Sequence, residues 1–367
     1  RTLFRSQSWH RIVVDEAQNI KNPDSAQTRA ICSLKSTHRL ILTGTPVENR
    51  LMDLWSLFNF LTPGYLGKKT GFRKAYELPI QKDRDPVKTR QLQKLAHPFI
   101  LRRMKTDPSI INDLPEKVEQ KVYCNLTREQ ASLYEAVVKE VERQLESVDG
   151  MERRGIMLAT LMKLKQICNH PNQFLQDESA FEQTRSHKLS RLNEMVEEAL
   201  AESSSMLVFT QFTELGAQLE EFLRNHHHCP VHYLHGGTSR KKRQRMIEGF
   251  QDTDTPAGIF ILSLKAGGVG ITLTRANHVF HFDRWWNPAV ENQATDRVYR
   301  IGQKQSVFVH KMITLGTLEE RIDQMIEDKR ALADSVIGSD ENWLTEIDND
   351  QFRQLISLNR KAIMEDS

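Results

Sequence analysis

The 367-residue sequence has no run of 18 apolar residues, so no helix long and apolar enough to cross a membrane is expected. Its start, Arg1-Thr2-Leu3-Phe4-Arg5, has no apolar core of a secretory signal. Opening on Arg1 and not on methionine points to a fragment. Cysteine is scarce: Cys32, Cys124, Cys168 and Cys229 lie far apart and form no C-x-x-C. That spacing argues against a zinc site and for a reduced, intracellular chain. His226-His227-His228-Cys229 invites a metal reading, but adjacent residues do not converge on one side of a helix. Charge of one sign is also lacking. With 51 Lys and Arg against 48 Asp and Glu, the net charge is +3, too balanced to argue for a polyanionic partner from the whole chain. Any such argument must rest on local clusters.

What is present is a series of short β-branched runs that end on polar residues. Ile12-Val13-Val14 is typical of a buried parallel strand and ends on Asp15-Glu16. In open α/β sheets, ligands bind at the carboxyl ends of strands. An acid pair there suits nucleotide chemistry. Asp15 could hold Mg²⁺ through water, and Glu16 could orient or deprotonate an attacking water. A solvated acidic turn is the alternative. Asn22-Pro23 predicts a helix start, Asn22 capping and Pro23 in the first turn, with the helix running to about Leu34. His38 to Leu42 is a second strand, ending in Thr43-Gly44-Thr45-Pro46. Strand, helix and strand make a βαβ unit.

Residues 47 to 113 read as mainly helical, with Leu51, Leu54, Trp55, Leu57 and Phe58 on one face. Gly64-Tyr65-Leu66-Gly67-Lys68-Lys69-Thr70 lacks the G-x-x-x-x-G-K-[ST] spacing and follows no strand, so it reads as a loop. Lys117 to Asn125 alternates and predicts a strand. Residues 127 to 200 read as long helices whose Met and Leu stripes are core, interrupted by a polar stretch at 172–186. From about Lys188 a second α/β region begins. Strands are expected at 206–210, 231–237, 258–263, 278–283 and 307–313, alternating with helices. One of those helices carries Arg240-Lys241-Lys242-Arg243-Gln244-Arg245, either a solvated face or a binder of nucleic-acid backbone. The alternation implies an α/β fold with parallel sheets covered on both faces. A helix at 317–335 and an acidic tail close the chain.

The stretch Gln293 to Gln303 reads Q-A-T-D-R-V-Y-R-I-G-Q. If helical, Gln293, Arg297 and Arg300 fall at i, i+4 and i+7 on one face, a stripe suited to a nucleoside triphosphate. Gly302 stops the helix. A solvated face with an Asp296–Arg300 pair is the alternative.

Taken in order, D-E-A-Q (15–18), L-T-G-T-P (42–46), F-I-L-R-R-M-K-T-D (99–107), L-K-Q-I-C-N-H-P (164–171), F-T-Q-F (209–212), Y-L-H-G-G-T (233–238), S-L-K-A-G-G-V-G-I-T-L (263–273), F-D-R-W-W-N-P (282–288) and the stretch at 293–303 resemble the Swi/Snf family of DNA-translocating ATPases in helicase superfamily 2. The D-E-A-Q form resembles its bacterial and archaeal branch. The resemblance spans about residues 9 to 335. It implies two RecA-like lobes with helical protrusions between them, ATP and Mg²⁺ in the cleft, and duplex DNA held by its phosphates. Domains are expected at 1–126 (first lobe and protrusion), 127–187 (second protrusion and linker), 188–316 (second lobe) and 317–367 (brace helix and tail).

By that resemblance Asp15 coordinates Mg²⁺, Glu16 positions water, and Thr43 and Thr45 couple hydrolysis to lobe closure. Gln293 and Gly270 serve the nucleotide, while Arg297 and Arg300 are arginine fingers. Thr210, Ser263, Lys265, Gly267 and Gly268 lie near one DNA strand. Trp286 could pack on DNA or, with Trp285, brace the turn before the helix; packing is the reading favoured here. DNA-bound proteins are the implied targets of a monomeric motor. The implied location is the cytoplasm with the nucleoid in a prokaryote, or the nucleus in a eukaryote. A non-catalytic DNA-binding fragment and an RNA helicase are the competing readings. One departure stands out: no G-x-x-x-x-G-K-[ST] occurs anywhere in the chain. The front of the first lobe is therefore expected to be absent and its sheet exposed. The chain alone is expected to hydrolyse ATP at background rate.

Overall fold

The computed structural model describes residues 6–44, 51–81, 85–101, 113–146, 148–177, 179–263, 270–332 and 347–359, with Phe4, Asp83 and Arg103 besides. The chain divides into two compact units, Arg1–Met104 with Lys329–Glu341, and Lys105–Asp328 with Asn342–Ser367. Among the described residues no helix is long and apolar enough to cross a membrane.

In the first unit, strand β1 (Ser8–Val14) pairs parallel with β2 (Lys35–Ile41), with Val13 opposite Leu40 and Val14 opposite Ile41. Alternation sends Ile12, Val14 and Ile41 to one face, where they pack on Ala17, Ile20, Leu57 and Phe60. On the other face Val13 and Leu40 stay 50% and 46% exposed. The expected apolar face is thus open. The connecting helix differs from expectation: it runs Ala26–Cys32 and is capped by Ser25, whose Oγ accepts the Thr28 N–H at 3.1 Å. Asn22 instead accepts the Asp24 N–H at 3.0 Å, turning the chain four residues before the helix begins at Ala26. Helix Leu51–Leu61 follows, and its Trp55 Nε1 donates to Gly67 O at 3.0 Å. The expected loop ends at Lys68, and Lys69, which starts helix Lys69–Phe72, pairs with Asp24 at 2.6 Å.

The second unit is a six-stranded, all-parallel sheet of β3 (Lys117–Cys124), β4 (Ser205–Thr210), β5 (Val231–Leu234), β6 (Ile259–Ser263), β7 (Ala276–His281) and β8 (Val307–Thr314), in the order β3-β8-β7-β4-β6-β5. The expectation grouped β3 with the first lobe. Its pairing with β8 from Lys117–Val307 to Cys124–Thr314 places it at the edge of this sheet instead. Strands β4 and β6 are buried along their whole length. Met206, Val208, Ile259 and Ile261 pack under helices His187–Ala201 and Thr213–His226. The alternate residues Leu207, Phe209, Phe260 and Leu262 pack on the opposite face against Met246, Phe250 and Val298. Helices thus cover both faces, as continuous apolar strands require.

Helices Arg128–Leu145 and Gly150–Asn169 form an antiparallel pair that shares a core with helix Leu318–Leu332 and helix Asn349–Ile356. Thr127 and Gln130 make a reciprocal capping box at the start of the first. The expected acidic tail is corrected at its end. Asp348 caps helix Asn349–Ile356, which buries Phe352, Leu355 and Ile356. Asp340, Glu341 and Glu346 lie outside the described residues.

Candidate active site

The carboxyl ends of β1 and β2 gather one polar cluster. Asp15 is exposed and its Oδ1 accepts the Glu16 N–H at 2.9 Å. Glu16 has a left-handed backbone, φ 48°, a conformation that costs a side-chain-bearing residue roughly 1–2 kcal/mol. Such strain persists where the surroundings over-determine it and is common at functional sites. Gln18 Nε2 donates to Glu16 Oε2 at 2.5 Å, and the Thr43 hydroxyl donates to Gln18 Oε1 at 3.0 Å. The Leu42 carbonyl accepts the Ala17 N–H at 3.1 Å. One glutamine therefore joins the acid pair of the first strand to the threonine of the second. Its part was missed in the sequence, although Gln18 stands inside the quoted D-E-A-Q. Thr45 lies outside the described residues. Asp15 is exposed and Glu16 partly so, and such a pair fits Mg²⁺, which takes one or two protein carboxylates and completes its shell with water and phosphate.

A second set of strand ends meets in the other sheet. Thr210 closes β4 opposite Ser263, which closes β6. Both are buried. The Thr210 hydroxyl donates to Asp283 Oδ2 at 2.5 Å, and Gln211 N–H reaches Asp283 Oδ1 at 3.0 Å. Thr210, expected near a DNA strand, has its side chain wholly enclosed, where it fixes the loop after β7. Burial pushes the Asp283 carboxyl up to about 6, against the pull of Lys165, the Thr210 hydroxyl and the Gln211 N–H. Lys165 Nζ donates to Arg284 O at 2.6 Å and lies 4.3 Å from the Trp286 ring centroid. Trp286 is 8% exposed and packs with Leu161, Leu164 and Ile322. Its ring is thus packed within that core beside the turn before helix Pro288–Thr295. Lys265, Gly267 and Gly268 lie outside the described residues. Gly270 has φ +44°, a backbone that favours glycine.

The stretch Gln293–Gln303 is not one helix. Helix Pro288–Thr295 is capped by Asn287 and ends at Asp296. The chain then turns, because the Leu273 N–H takes the Arg297 carbonyl at 3.0 Å. Gln293, Arg297 and Arg300 therefore do not share a helical face. Arg297 is buried, whereas Arg300 is exposed and its Nη1 donates to Thr272 Oγ1 at 3.3 Å. Gly302 has φ +102° but lies in a turn seven residues past the helix end, so it does not stop the helix as expected. Gln303 then locks the turn, donating to Ala276 O at 2.8 Å and accepting the Lys304 and Gln305 N–H groups at 2.9 and 3.0 Å.

Around this segment runs a buried charge network that sequence spacing could not reveal. Arg284 Nε donates to Glu291 Oε1 at 2.9 Å, and Arg284 Nη1 pairs with Asp323 of helix Leu318–Leu332. Asp323 also pairs with Lys121 of β3 at 2.7 Å. Glu291 Oε1 accepts the Trp285 N–H at 2.9 Å. Burial would raise Glu291, but Arg284, His281 and the Trp285 N–H hold it below its ordinary value. His281 Nε2 meets Thr295 Oγ1 at 3.0 Å, and burial lowers this histidine to about 4. A further buried pair, Lys188–Glu319 at 2.7 Å, ties helix His187–Ala201 to helix Leu318–Leu332.

The basic cluster stands on helix Arg240–Gln251, which follows β5. Arg240, Lys241, Lys242 and Arg245 are exposed. His226 Nδ1 turns to Phe222 O at 2.8 Å and His227 Nε2 to Asn193 Oδ1 at 2.9 Å, so their rings serve helix packing.

A family model described as the SNF2-related domain matches residues 1–173, and one described as the helicase conserved C-terminal domain matches residues 187–302. YwqA of Bacillus subtilis, provisionally named an ATP-dependent helicase/translocase, is 49% identical over 97% of this chain and 38% of its own length. The chain likewise spans 33% and 32% of two Mycoplasma relatives. The Sulfolobus solfataricus SWI2/SNF2 ATPase core in complex with double-stranded DNA is 45% identical, with a TM-score of 0.61, covering 98% of this chain and 75% of that one. The C-terminal domain of the Sulfolobus ATPase is 42% identical with a TM-score of 0.58, covering 66% of this chain and 100% of that one.

Proposed function

The chain belongs to the SWI2/SNF2 family, and from that premise we propose that it supplies most of the motor of an ATP-dependent duplex-DNA translocase that displaces or slides DNA-bound proteins. The observation that carries the reading is the cluster at the ends of β1 and β2, where Gln18 joins Glu16 to Thr43 beside Asp15. Asp15 would hold Mg²⁺ through water, and the ion, when bound, neutralises phosphate charge. Glu16 orients the attacking water and accepts its proton. Thr43, tied to Glu16 through Gln18, carries a shift in either side chain to the other. Arg297 and Arg300 stabilise charge that develops on the γ-phosphate, a role worth ~10³–10⁵ in rate where it is supplied by an arginine finger. Gln293 and Gly270 complete the nucleotide contacts.

DNA would be held by its phosphates, because a motor must step past any sequence. Support comes from the adjacent ends of β4, β6 and β5. There, Ser263 sits beside the Thr210–Asp283 lock. The Gly236-Gly237 turn at the end of β5 leads into the exposed lysines and arginines of helix Arg240–Gln251. Lys265, Gly267 and Gly268 belong to the same reading by their motif.

No G-x-x-x-x-G-K-[ST] is present in the 367 residues. The activity is therefore proposed for a whole protein in which a phosphate-loop segment is joined to this chain. Steady-state ATP turnover tests the reading. The whole protein should be stimulated by duplex DNA and little by RNA, and the 367-residue chain alone should stay at background. Equal stimulation by RNA, or full turnover by the chain alone, would contradict it.

A further inference from the structure

The ATPase reading gives no task to Arg284, although it is among the largest fully buried side chains. Arg284 lies between two carboxylates, bonded through Nε to Glu291 and through Nη1 to Asp323. Guanidinium is a rigid planar fork, so two acids on different edges of it are fixed in direction relative to each other. Glu291 is on the helix that carries Gln293, and Asp323 is on helix Leu318–Leu332. Lys121 of β3 holds Asp323 from the far side at 2.7 Å and also pairs with Glu327.

We infer that Arg284 is a positioning residue, which clamps the Gln293 helix and the arginine-bearing turn after it to helix Leu318–Leu332. Helix Pro288–Thr295 has only 8 residues, too few to be stable without tertiary support. Its supports include the Asn287 cap at 2.9 Å, the Arg284–Glu291 bond, His281 on Thr295 at 3.0 Å, and the packing of Val290 and Ala294 in the core. The cap lies at the helix start and the His281 contact reaches β7. The Arg284 bridge carries the tie on to helix Leu318–Leu332. Hydrolysis also requires guanidinium groups placed to a fraction of an ångström. A clamp on the segment that presents them can therefore set the rate without touching nucleotide. The same loop is held to β4 through Asp283 and to helix Gly150–Asn169 through Lys165. A change at any of these elements would reach Gln293 through Arg284.

The clamp itself is independent of the ATPase reading; its catalytic consequence rests on that reading. The test substitution is Asp323→Asn, which removes one charge and keeps the shape. Amide hydrogen exchange in the 367-residue chain should rise about tenfold over residues 288–300 and stay unchanged in β4 and β6. In the whole protein, kcat should fall about tenfold while the KM for ATP and the affinity for duplex DNA hold within about twofold. Asp323→Glu, which keeps the charge, should restore most of both. Unchanged exchange at 288–300 would overturn the inference, as would a uniform rise that includes β4 and β6. A local rise in exchange, in a protein whose wild type shows no DNA-stimulated turnover, would uphold the clamp and remove the ATPase reading.

Discussion

The two parallel sheets are built from similar sequence yet are held in opposite ways. β1 and β2 bury one face and leave Val13 and Leu40 about half exposed. β4 and β6 are enclosed along their whole length between two helical layers. The polar residues at their ends follow the same division. Asp15 is exposed, and Glu16, Gln18 and Thr43 are only partly covered and joined by hydrogen bonds. Thr210, Asp283, Arg284 and Glu291 are buried and cross-linked by charge. Burial decides what each set can do. An exposed acid pair can take up an ion and water from solvent, whereas a buried network can only hold other groups in place.

Substitutions should separate the two regions sharply. Glu319→Ala would leave the Lys188 ammonium buried without its 2.7 Å partner. The expected loss is about 3–5 kcal/mol, measured by urea denaturation of the second unit. Phe260→Ala, in a strand residue with no exposed surface, should cost a similar ~3–5 kcal/mol by leaving a cavity. Costs below 1 kcal/mol for both would dissolve the contrast.

Acid should act on the buried set next. His281 has a folded value of about 4, below its ordinary 6.5. The unfolded chain therefore binds the proton first. Stability from this residue is full above pH 6.5 and is lost as pH falls through 4, about 3 kcal/mol in all. Asp283, raised from 3.8 to about 6, runs the other way. It favours the fold below pH 3.8, and that contribution is lost as pH rises through 6. Denaturation midpoints at pH 7 and pH 4 should show the histidine term flattened in His281→Gln and the opposing term removed in Asp283→Asn.

The smallest effects belong to the open face. Val13→Thr and Leu40→Thr should change stability by no more than about 0.5 kcal/mol and reduce self-association seen by light scattering. At Glu16, φ 48° suits asparagine better than most side chains. Glu16→Asn should hold stability to within about 0.5 kcal/mol while ATP turnover of the whole protein is lost. A stability loss of several kcal/mol would make Glu16 a structural residue.

The strands of the second unit were legible in the sequence because each is a continuous apolar run bounded by turn residues, as in Met206 to Thr210 and Ile259 to Ser263. The partner of β3 was not legible, since alternation in Lys117–Cys124 specifies a strand and not a sheet. Helix starts failed where two caps competed: Asn22-Pro23 is a credible start, but Ser25 reaches the Thr28 N–H. The helix end at Thr295 was hidden for a different reason. Its spacing of Gln and Arg is helical, and the bond that ends it comes from Leu273, 24 residues earlier in the chain. Asp15, Glu16 and Thr43 could be expected near one another because they follow neighbouring strand ends, and the structure joins them in one hydrogen-bonded cluster. Gln18 and Arg284 were not legible, because a linking residue is recognised by its two partners and its spacing to them carries no signal.

Steady-state ATP hydrolysis of the whole protein with saturating duplex DNA is the most direct test of the central claim, comparing wild type with Arg297→Ala and Arg300→Ala. Loss of at least one of the two side chains should lower kcat by ~10³ or more, with DNA affinity held within about threefold. Near-normal turnover in both variants would contradict the claim and leave the segment a packed turn.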